Sequence, residues 1–543
     1  MKIKANYVDI LNRNIFPASI EVKDKKIASV VAIDEALSTY ILPGFIDAHI
    51  HIESSMLIPS QFARLASLHG TVATVSDPHE IANVLGRDGI DFMLKNASQV
   101  AFKFYFGASP CVPATPFETS GATLDVADIK ELLSNPEIKF LSEVMNFPGV
   151  LNNDTEIMAK IELAKHLNKP IDGHAPALRG DDLKRYIDAG ISTDHEAFSY
   201  EEAKEKLDCG MKILIREGSA AKNFEDLAPL IDEYYQNMMF CSDDRHPNDL
   251  EKEHINALVI RALEKGNDLF KVLQMACINP IKHYKLDVGS LHVGDAADFI
   301  EVENLSDFRL IQCVINGEVL ARKSHSLIPS FLVEPVNNFH AQLKSVEDFA
   351  FKQECDAIEV IHAHDHELIT DEKLLHLPNH EGNFSSDIER DILKITVINR
   401  YENVAPYVAF VHGFGLKSGA IASSVAHDSH NIIALGCSDE AITEAVNLVI
   451  KNRGGVSAVN ETDSHVLALE VAGLMSSHDG FEISKSYSEL DNFSKEVLGS
   501  SLSAPFMTLS FMALLVIPSL KISDKGLFDS NAFHFIHRCK NKE

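Results

Sequence analysis

At 543 residues the chain is too long for one hydrophobic core, so two or three domains are expected. Its hydrophobic content of 45% is ordinary for a globular protein, while a formal charge of -30 argues against nucleic acid or an anionic membrane, since both call for clustered Lys and Arg. A small neutral or cationic ligand suits that charge better.

The start, Met1-Lys2-Ile3-Lys4-Ala5-Asn6-Tyr7, lacks the apolar core and cleavage site of a secretory signal, and a cytoplasmic protein is expected. Residues 1–38 are short strand-like pieces broken by turns such as Asp24-Lys25-Lys26, and residues 286–332 read the same way around Asn316-Gly317-Glu318. These two segments are expected to pair as one small β-sandwich domain.

Between them, in residues 39–285, eight short apolar runs alternate with amphipathic stretches. The runs are Ile41 to Ala48, Thr71 to Ser76, Phe102 to Gly107, Lys139 to Val144, Pro170 to Gly173, Ile191 to Thr193, Met211 to Ile215 and Met238 to Ser242. Helices are predicted over Glu156 to Asn168, Asp181 to Ala189, Tyr200 to Cys209 and Leu250 to Lys265, the last three stopping at Gly190, Gly210 and Gly266. Eight βα units predict an α/β fold of the (β/α)8 TIM barrel type.

Residues 335–543 read as a C-terminal α+β domain, with strands at Ile395 to Ile398, Tyr407 to Val411 and Ile432 to Gly436 and a helix over Asp439 to Lys451. The longest apolar stretch, Phe506 to Leu520, is interrupted by Thr508, Ser510 and Pro518 and is shorter than the roughly 20 residues of a membrane helix. It predicts buried core. Eight cysteines, with no CxxC pair, read as small reduced core residues.

The C-terminal mouth of such a barrel gathers side chains from different strands, so the residue that ends each run matters most. Run one ends in His49-Ile50-His51, and alternation along a strand puts both imidazoles on one face. Run four carries Glu143, run five ends at His174, run six at Asp194-His195-Glu196 and run eight at Ser242-Asp243-Asp244. Four imidazoles with two or more carboxylates are enough for two divalent ions bridged by one carboxylate. Lys139 is the alternative bridge, but it opens its run, whereas Glu143 lies near the end.

The order of these residues resembles the amidohydrolase superfamily: HxH on strand one, a bridging lysine carbamate or glutamate on strand four, histidines on strands five and six, aspartate on strand eight. Gly289-Ser290-Leu291-His292-Val293-Gly294-Asp295-Ala296-Ala297-Asp298 is similar to the turn by which that family re-enters its β domain. Four further stretches resemble the adenine deaminase family: residues 43–56 around the HxH, Ser76-Asp77-Pro78-His79-Glu80-Ile81-Ala82-Asn83-Val84, Arg216-Glu217-Gly218-Ser219, and Ser242-Asp243-Asp244-Arg245-His246-Pro247. The C-terminal domain is similar as well.

The resemblance implies hydrolytic deamination of adenine, with His49, His51, Glu143, His174, His195 and Asp243 as ligands of two metal ions and Asp243 also as proton shuttle. Mn2+ or Fe2+ is implied, with Zn2+ as the alternative. It also implies an assembly of identical chains. Attack on the ring needs a second acid, for which Glu217 is the first choice with Glu53, His79, Glu80 and Glu196 behind it; Glu53, His79, Glu80, Glu196, Arg216 and Asp244 are expected to touch substrate, Asp244 with orienting Asp243 as its alternative role. For His427-Asp428-Ser429-His430 a structural or mouth-covering role is favoured over a third metal site.

Three other readings compete. His51-Ile52-Glu53 and Pro110-Cys111 superficially match the HxE and PCxxC of zinc nucleobase deaminases, but Val112-Pro113-Ala114 follows and the second cysteine is missing. Hydrolysis of another amino-heterocycle or a cyclic amide would use the same centre. A non-catalytic scaffold would be expected to have lost ligands, and this chain retains the set.

Overall fold

Eight parallel strands, Phe45–Ile50, Thr71–Ser76, Lys103–Ala108, Ile138–Val144, Ile171–Gly173, Thr193–Asp194, Lys212–Arg216 and Met238–Cys241, follow one another in the order the apolar runs predict. They are barrel strands one to eight of the computed structural model, which describes residues 1–352, 357–376, 379–380 and 383–540. Strands one to five share one hydrogen-bonded sheet and six to eight another. The Ser192 N–H joins them by donating to the Ile171 carbonyl at 2.9 Å. The ring closes where Asp243 N–H donates to the His49 carbonyl at 3.0 Å and His51 N–H to the Asp243 carbonyl at 3.3 Å.

The closure is reinforced by Asp47, a fully buried carboxylate on strand one. It accepts from the Ser242 N–H at 3.0 Å, from the Ser242 hydroxyl, and from His254 Nε2–H at 2.9 Å. With its proton on Nε2, His254 accepts from the Thr71 hydroxyl through Nδ1 at 2.7 Å. This contact corrects one predicted element. The helix expected over Leu250 to Lys265 is two helices, Pro247–Lys252 and Ile255–Glu264, because the chain turns His254 inward to reach Asp47. The other three helices form as Thr155–His166, Gly180–Asp188 and Tyr200–Asp208.

The first apolar run is also divided. Tyr40–Pro43 lies in an eight-stranded sheet built from both flanking segments, between Lys2–Asp9 and Phe299–Val302, and only Phe45–Ile50 enters the barrel. Gly44 is the crossing point, where a Cβ would come within 2.1 Å of Val72 Cγ1, so only glycine lets the chain pass between sheets.

In the C-terminal part the helix Asp439–Lys451, capped by the Ser438 side chain, packs on a sheet that includes Ile392–Ile398, Tyr407–His412, Ala420–Ser423 and Ile432–Gly436. Phe506 to Leu520 supplies the helix Pro505–Phe511 and the start of the strand Leu520–Ile522, mostly buried. This part seats directly on the barrel. Ser476 N–H donates to the Met56 carbonyl at 2.8 Å, Arg64 pairs with Asp479 at 2.6 Å, and one apolar cluster runs from Phe62 to Met475 and Tyr487.

Among the described residues no helix is long and apolar enough to cross a membrane. Six cysteines are free thiols; Cys355 lies outside the described residues, and Cys539 takes part in a disulfide, a departure from the expected set of reduced thiols.

Removing the closing carboxylate leaves buried donors on Ser242 and His254 unsatisfied. Asp47→Ala is expected to cost about 3–5 kcal/mol, read as a lower midpoint of chemical denaturation of the metal-free chain.

Candidate functional site

The HxH pair is aimed by the strand that carries it. His49 Nε2 and His51 Nε2 lie 3.3 Å apart on one face of strand one, both buried. His51 Nδ1 lies 3.1 Å from the Asp77 carbonyl oxygen, so its proton belongs on Nδ1 and the Nε2 lone pair points into the mouth.

Glu143 stands opposite and is shared by four imidazoles. Its Oε1 lies 3.2 Å from His51 Nε2 and 3.4 Å from His79 Nδ1. Its Oε2 lies 2.8 Å from His174 Nδ1 and 3.3 Å from His195 Nε2. One oxygen thus faces each pair of imidazoles. Lys139 is remote from it, bonded to the Pro136 carbonyl on an exposed edge.

Asp243 completes the group, with Oδ1 3.4 Å from His49 Nε2 and 3.2 Å from His51 Nε2 and Oδ2 accepting from Arg216 at 2.8 Å. Its φ of 53° is left-handed, a region Asp tolerates better than most residues. Three overlapping sets of donor atoms converge here within 4.8 Å: His51, Asp77, His79 and Glu143; His49, His195 and Asp243; Glu143, His174 and His195. Asp77 Oδ2, His79 Nδ1 and His174 Nε2 are buried without a hydrogen-bond partner. Packed imidazoles and carboxylates with orphaned atoms fit divalent cations, which would satisfy them together.

The carboxylates of the site are held ionised and in turn hold His51, His174 and His195 up in spite of their burial, whereas His49 is pushed down. Burial alone would raise the Glu143 carboxyl, but hydrogen bonds from His174, His195 and His51 hold it well below the usual range. For Asp243, burial is likewise outweighed by His49 and His51 and by the Arg216 charge, and it too stays ionised. Burial and the neighbouring His195 push His49 down, towards the neutral form that ligates metal.

The remaining predicted residues separate clearly. Glu196 and Arg216 line the mouth as a bidentate pair, with Glu196 Oε2 accepting from Arg216 at 3.1 Å. Asp244 also lines it and accepts from the Ser54 hydroxyl at 2.5 Å. His79 and Glu80 line it from the helix His79–Leu85. Glu217 does not belong: it turns away to pair with Arg261 at 2.9 Å and Lys222 at 3.2 Å, because the chain after strand seven doubles back through a Glu217–Lys222 bridge. Glu53 is buried and accepts from the Ile81 N–H at 3.2 Å near the start of that helix, and its other oxygen has no hydrogen-bond partner. Burial, then the Glu80 charge, pushes its carboxyl up to about 7.

Sequence reasoning passed over Asp77, although it lies in the Ser76 to Val84 stretch, and the apolar wall of Met145, Leu368, Phe511 and Leu514. The space left beside the ligands is only about 20 Å³, and it adjoins a larger cavity of about 710 Å³ that shares Met145, Glu196, Arg216 and Leu368. A flat ring would enter through that larger cavity. Elsewhere, His362, His364 and Asp371 approach one another on the C-terminal sheet, but the Lys373 ammonium lies 3.3 Å from His362 Nε2 and would repel a cation.

The chain matches the amidohydrolase family over residues 40–320 and the adenine deaminase C-terminal domain over residues 367–534. It is 64% identical over 540 residues to an adenine deaminase of Sulfurovum sp. (strain NBC37-1), a match covering 99% of this chain and 100% of that one. The chain belongs to the adenine deaminase branch of the amidohydrolase family. An adenine deaminase of Borreliella burgdorferi is 50% identical over 542 residues, 98% of this chain and 99% of that one. Among solved structures, the chain is similar to a β-aspartyl dipeptidase of Fervidobacterium islandicum AW-1, at 15% identity and a TM-score of 0.47 over 61% of this chain and 98% of that one. Membership of the amidohydrolase family implies divalent metal ions, and the donor sets around Glu143 are where they fit.

Glu143→Ala removes the group shared by both halves and should leave at most one tightly held ion per chain, measured by elemental analysis after dialysis. Metal should also be lost as the pH is lowered, because protons then compete for the imidazoles proposed to ligate it and the facing carboxylates hold His51, His174 and His195 up.

Proposed function

We propose that this chain hydrolyses adenine to hypoxanthine and ammonia. The observation that carries the reading is the carboxylate of Glu143 shared between two sets of imidazoles, in a chain of the adenine deaminase family. His49, His51, Glu143, His174, His195 and Asp243 would hold two divalent ions, Mn2+ or Fe2+ first and Zn2+ second, and Asp77 and His79 lie close enough to join them. Such ions lower the pKa of water toward about 7 and make hydroxide available at neutral pH.

Asp243 is the proton carrier in this reading. Its carboxylate, kept ionised beside Arg216, takes the proton from the attacking oxygen and passes it to the departing amino group. Glu196 keeps Arg216 in place and lines the entrance. Met145, Leu368, Phe511 and Leu514 give a flat base an apolar wall and limit the entry of bulk water. The barrel, residues 39–285, carries the chemistry; residues 1–38 and 286–332 support it, and residues 335–543 close its mouth. We assign the enzyme to purine salvage in the cytoplasm, as an assembly of identical chains.

Ammonia release by the metal-loaded protein from adenine, adenosine, guanine and cytosine tests the reading; turnover is expected with adenine, and failure with every base refutes it. Asp243→Asn should lower kcat by about 100-fold or more and change KM less. Glu217→Gln should change kcat far less than Asp243→Asn, since Glu217 faces Arg261 and not the mouth.

A further inference from the structure

Residues 424–431, which connect the C-terminal strands Ala420–Ser423 and Ile432–Gly436, reach into the barrel mouth. The connection is held at several points. Tyr401 OH donates to the Ser429 carbonyl at 2.6 Å, Asn431 Nδ2 to the Thr119 carbonyl at 2.8 Å, and His427 N–H to the Ser510 hydroxyl at 3.3 Å. His427 is buried, and its ring stacks on Phe511 with centroids 4.7 Å apart and planes 17° from parallel.

Glu80 orients this imidazole. His427 Nδ1 lies 2.6 Å from Glu80 Oε1. His430 takes the other oxygen: its Nδ1 accepts from the Ala426 N–H at 3.2 Å, so its proton sits on Nε2, facing Glu80 Oε2. Glu80 thus stands between two imidazoles, one against each oxygen, a group whose atoms are also close enough to hold a cation. His427 Nε2 is left with no hydrogen-bond partner, on the cavity wall, 3.9 Å from Asp244 Oδ1. A carboxylate behind an imidazole whose other nitrogen faces the reactants is the arrangement of a proton-transfer dyad.

We infer that His427, supplied by the C-terminal domain, is the second acid of the reaction, donating from Nε2 to the ring nitrogen beside the reacting carbon, and that Glu80 is its positioning residue. The inference rests on the deaminase reading. As the hydroxide oxygen bonds to C6, the C6–N1 π pair moves onto N1 and takes the proton from His427 Nε2, leaving a neutral imidazole. Collapse of the adduct breaks the C6–N6 bond, and the amine leaves as ammonia with the proton that Asp243 took from the attacking oxygen. The product keeps the proton on N1, and the proton released when the next water ionises restores His427. The two protons of water end on ammonia and on N1.

The charged and titratable groups facing His427 are Glu80 from the barrel helix, Asp428 and His430 from its own loop, and Asp244 and His246 beyond strand eight. Burial works against its charge, but Glu80, then Asp244, raise it to about 9. It is therefore protonated at neutral pH and loses its proton as the pH rises through about 9.

His427→Gln in the metal-loaded full chain should lower kcat for adenine by about 10²- to 10⁴-fold, with KM and metal content near wild type and the basic limb of the pH profile gone. Glu80→Gln, which keeps the side-chain volume, should move that limb to lower pH. A 6-chloropurine probe separates the two proton deliveries, because chloride leaves without a proton. His427→Gln should slow its hydrolysis as much as that of adenine. An unslowed 6-chloropurine reaction would assign the proton to the leaving group and overturn the inference. Loss of metal with His427→Gln would make His427 a ligand, with the same consequence. A wild-type protein inactive on every base refutes the deaminase reading itself, whereas an active wild type with an unimpaired His427→Gln variant overturns only the role of His427.

Discussion

The meeting of barrel strand one with strand eight is the constraint on which the rest depends. Two backbone hydrogen bonds bring the His49 and His51 peptides against Asp243, and Asp47 clamps the joint from below through Ser242 and His254. Residues almost two hundred positions apart in sequence thereby present Nε2 and Oδ1 atoms within 3.4 Å of each other. If the closure were loosened, the HxH would be two histidines on a strand end and Asp243 an ionised carboxylate held only by Arg216. The same clamp breaks the helix after strand eight at His254, so a local irregularity there serves the geometry of the mouth.

Burying so many ionisable groups is costly unless each finds an opposite charge or a hydrogen bond. Around Glu143 the protein does this with imidazoles, which can be neutral ligands or cations as the site demands. Around Asp243 and Glu196 it uses the one guanidinium of Arg216. Among the atoms left without a partner, those on Asp77, His79 and His174 are ones a bound cation would satisfy. Stability and the capacity to hold a cation are thus two aspects of one arrangement.

The C-terminal part turns an open barrel mouth into a closed one. Phe511 and Leu514 supply its apolar wall, and the connection carrying His427 and His430 covers Glu80. The mouth-covering role expected for His427 to His430 describes their position, and the free Nε2 of His427 adds a chemical one. Glu217, the acid favoured from its place after strand seven, is excluded by direction: the chain turns back on itself there and the side chain meets Arg261.

Much of this molecule is legible in the sequence, because local periodicity and strand-end chemistry are local facts. Alternating apolar runs identify the eight strands, and His49, His51, Glu143, His174, His195 and Asp243 each lie at or near the end of one. That they can converge follows from barrel topology alone. What sequence cannot carry is direction and distance between elements remote in the chain. It could not show that Tyr40 to Pro43 belongs to a different sheet from Phe45 to Ile50, since both halves are equally apolar and only the contact of Gly44 with Val72 separates them. It could not show that Glu217 points out of the mouth, or that His427 lines it. Residue types and their order determined which chemistry this chain holds; tertiary packing decided which of those groups face one another, because a hydrogen bond depends on a few tenths of an ångström that no local pattern encodes.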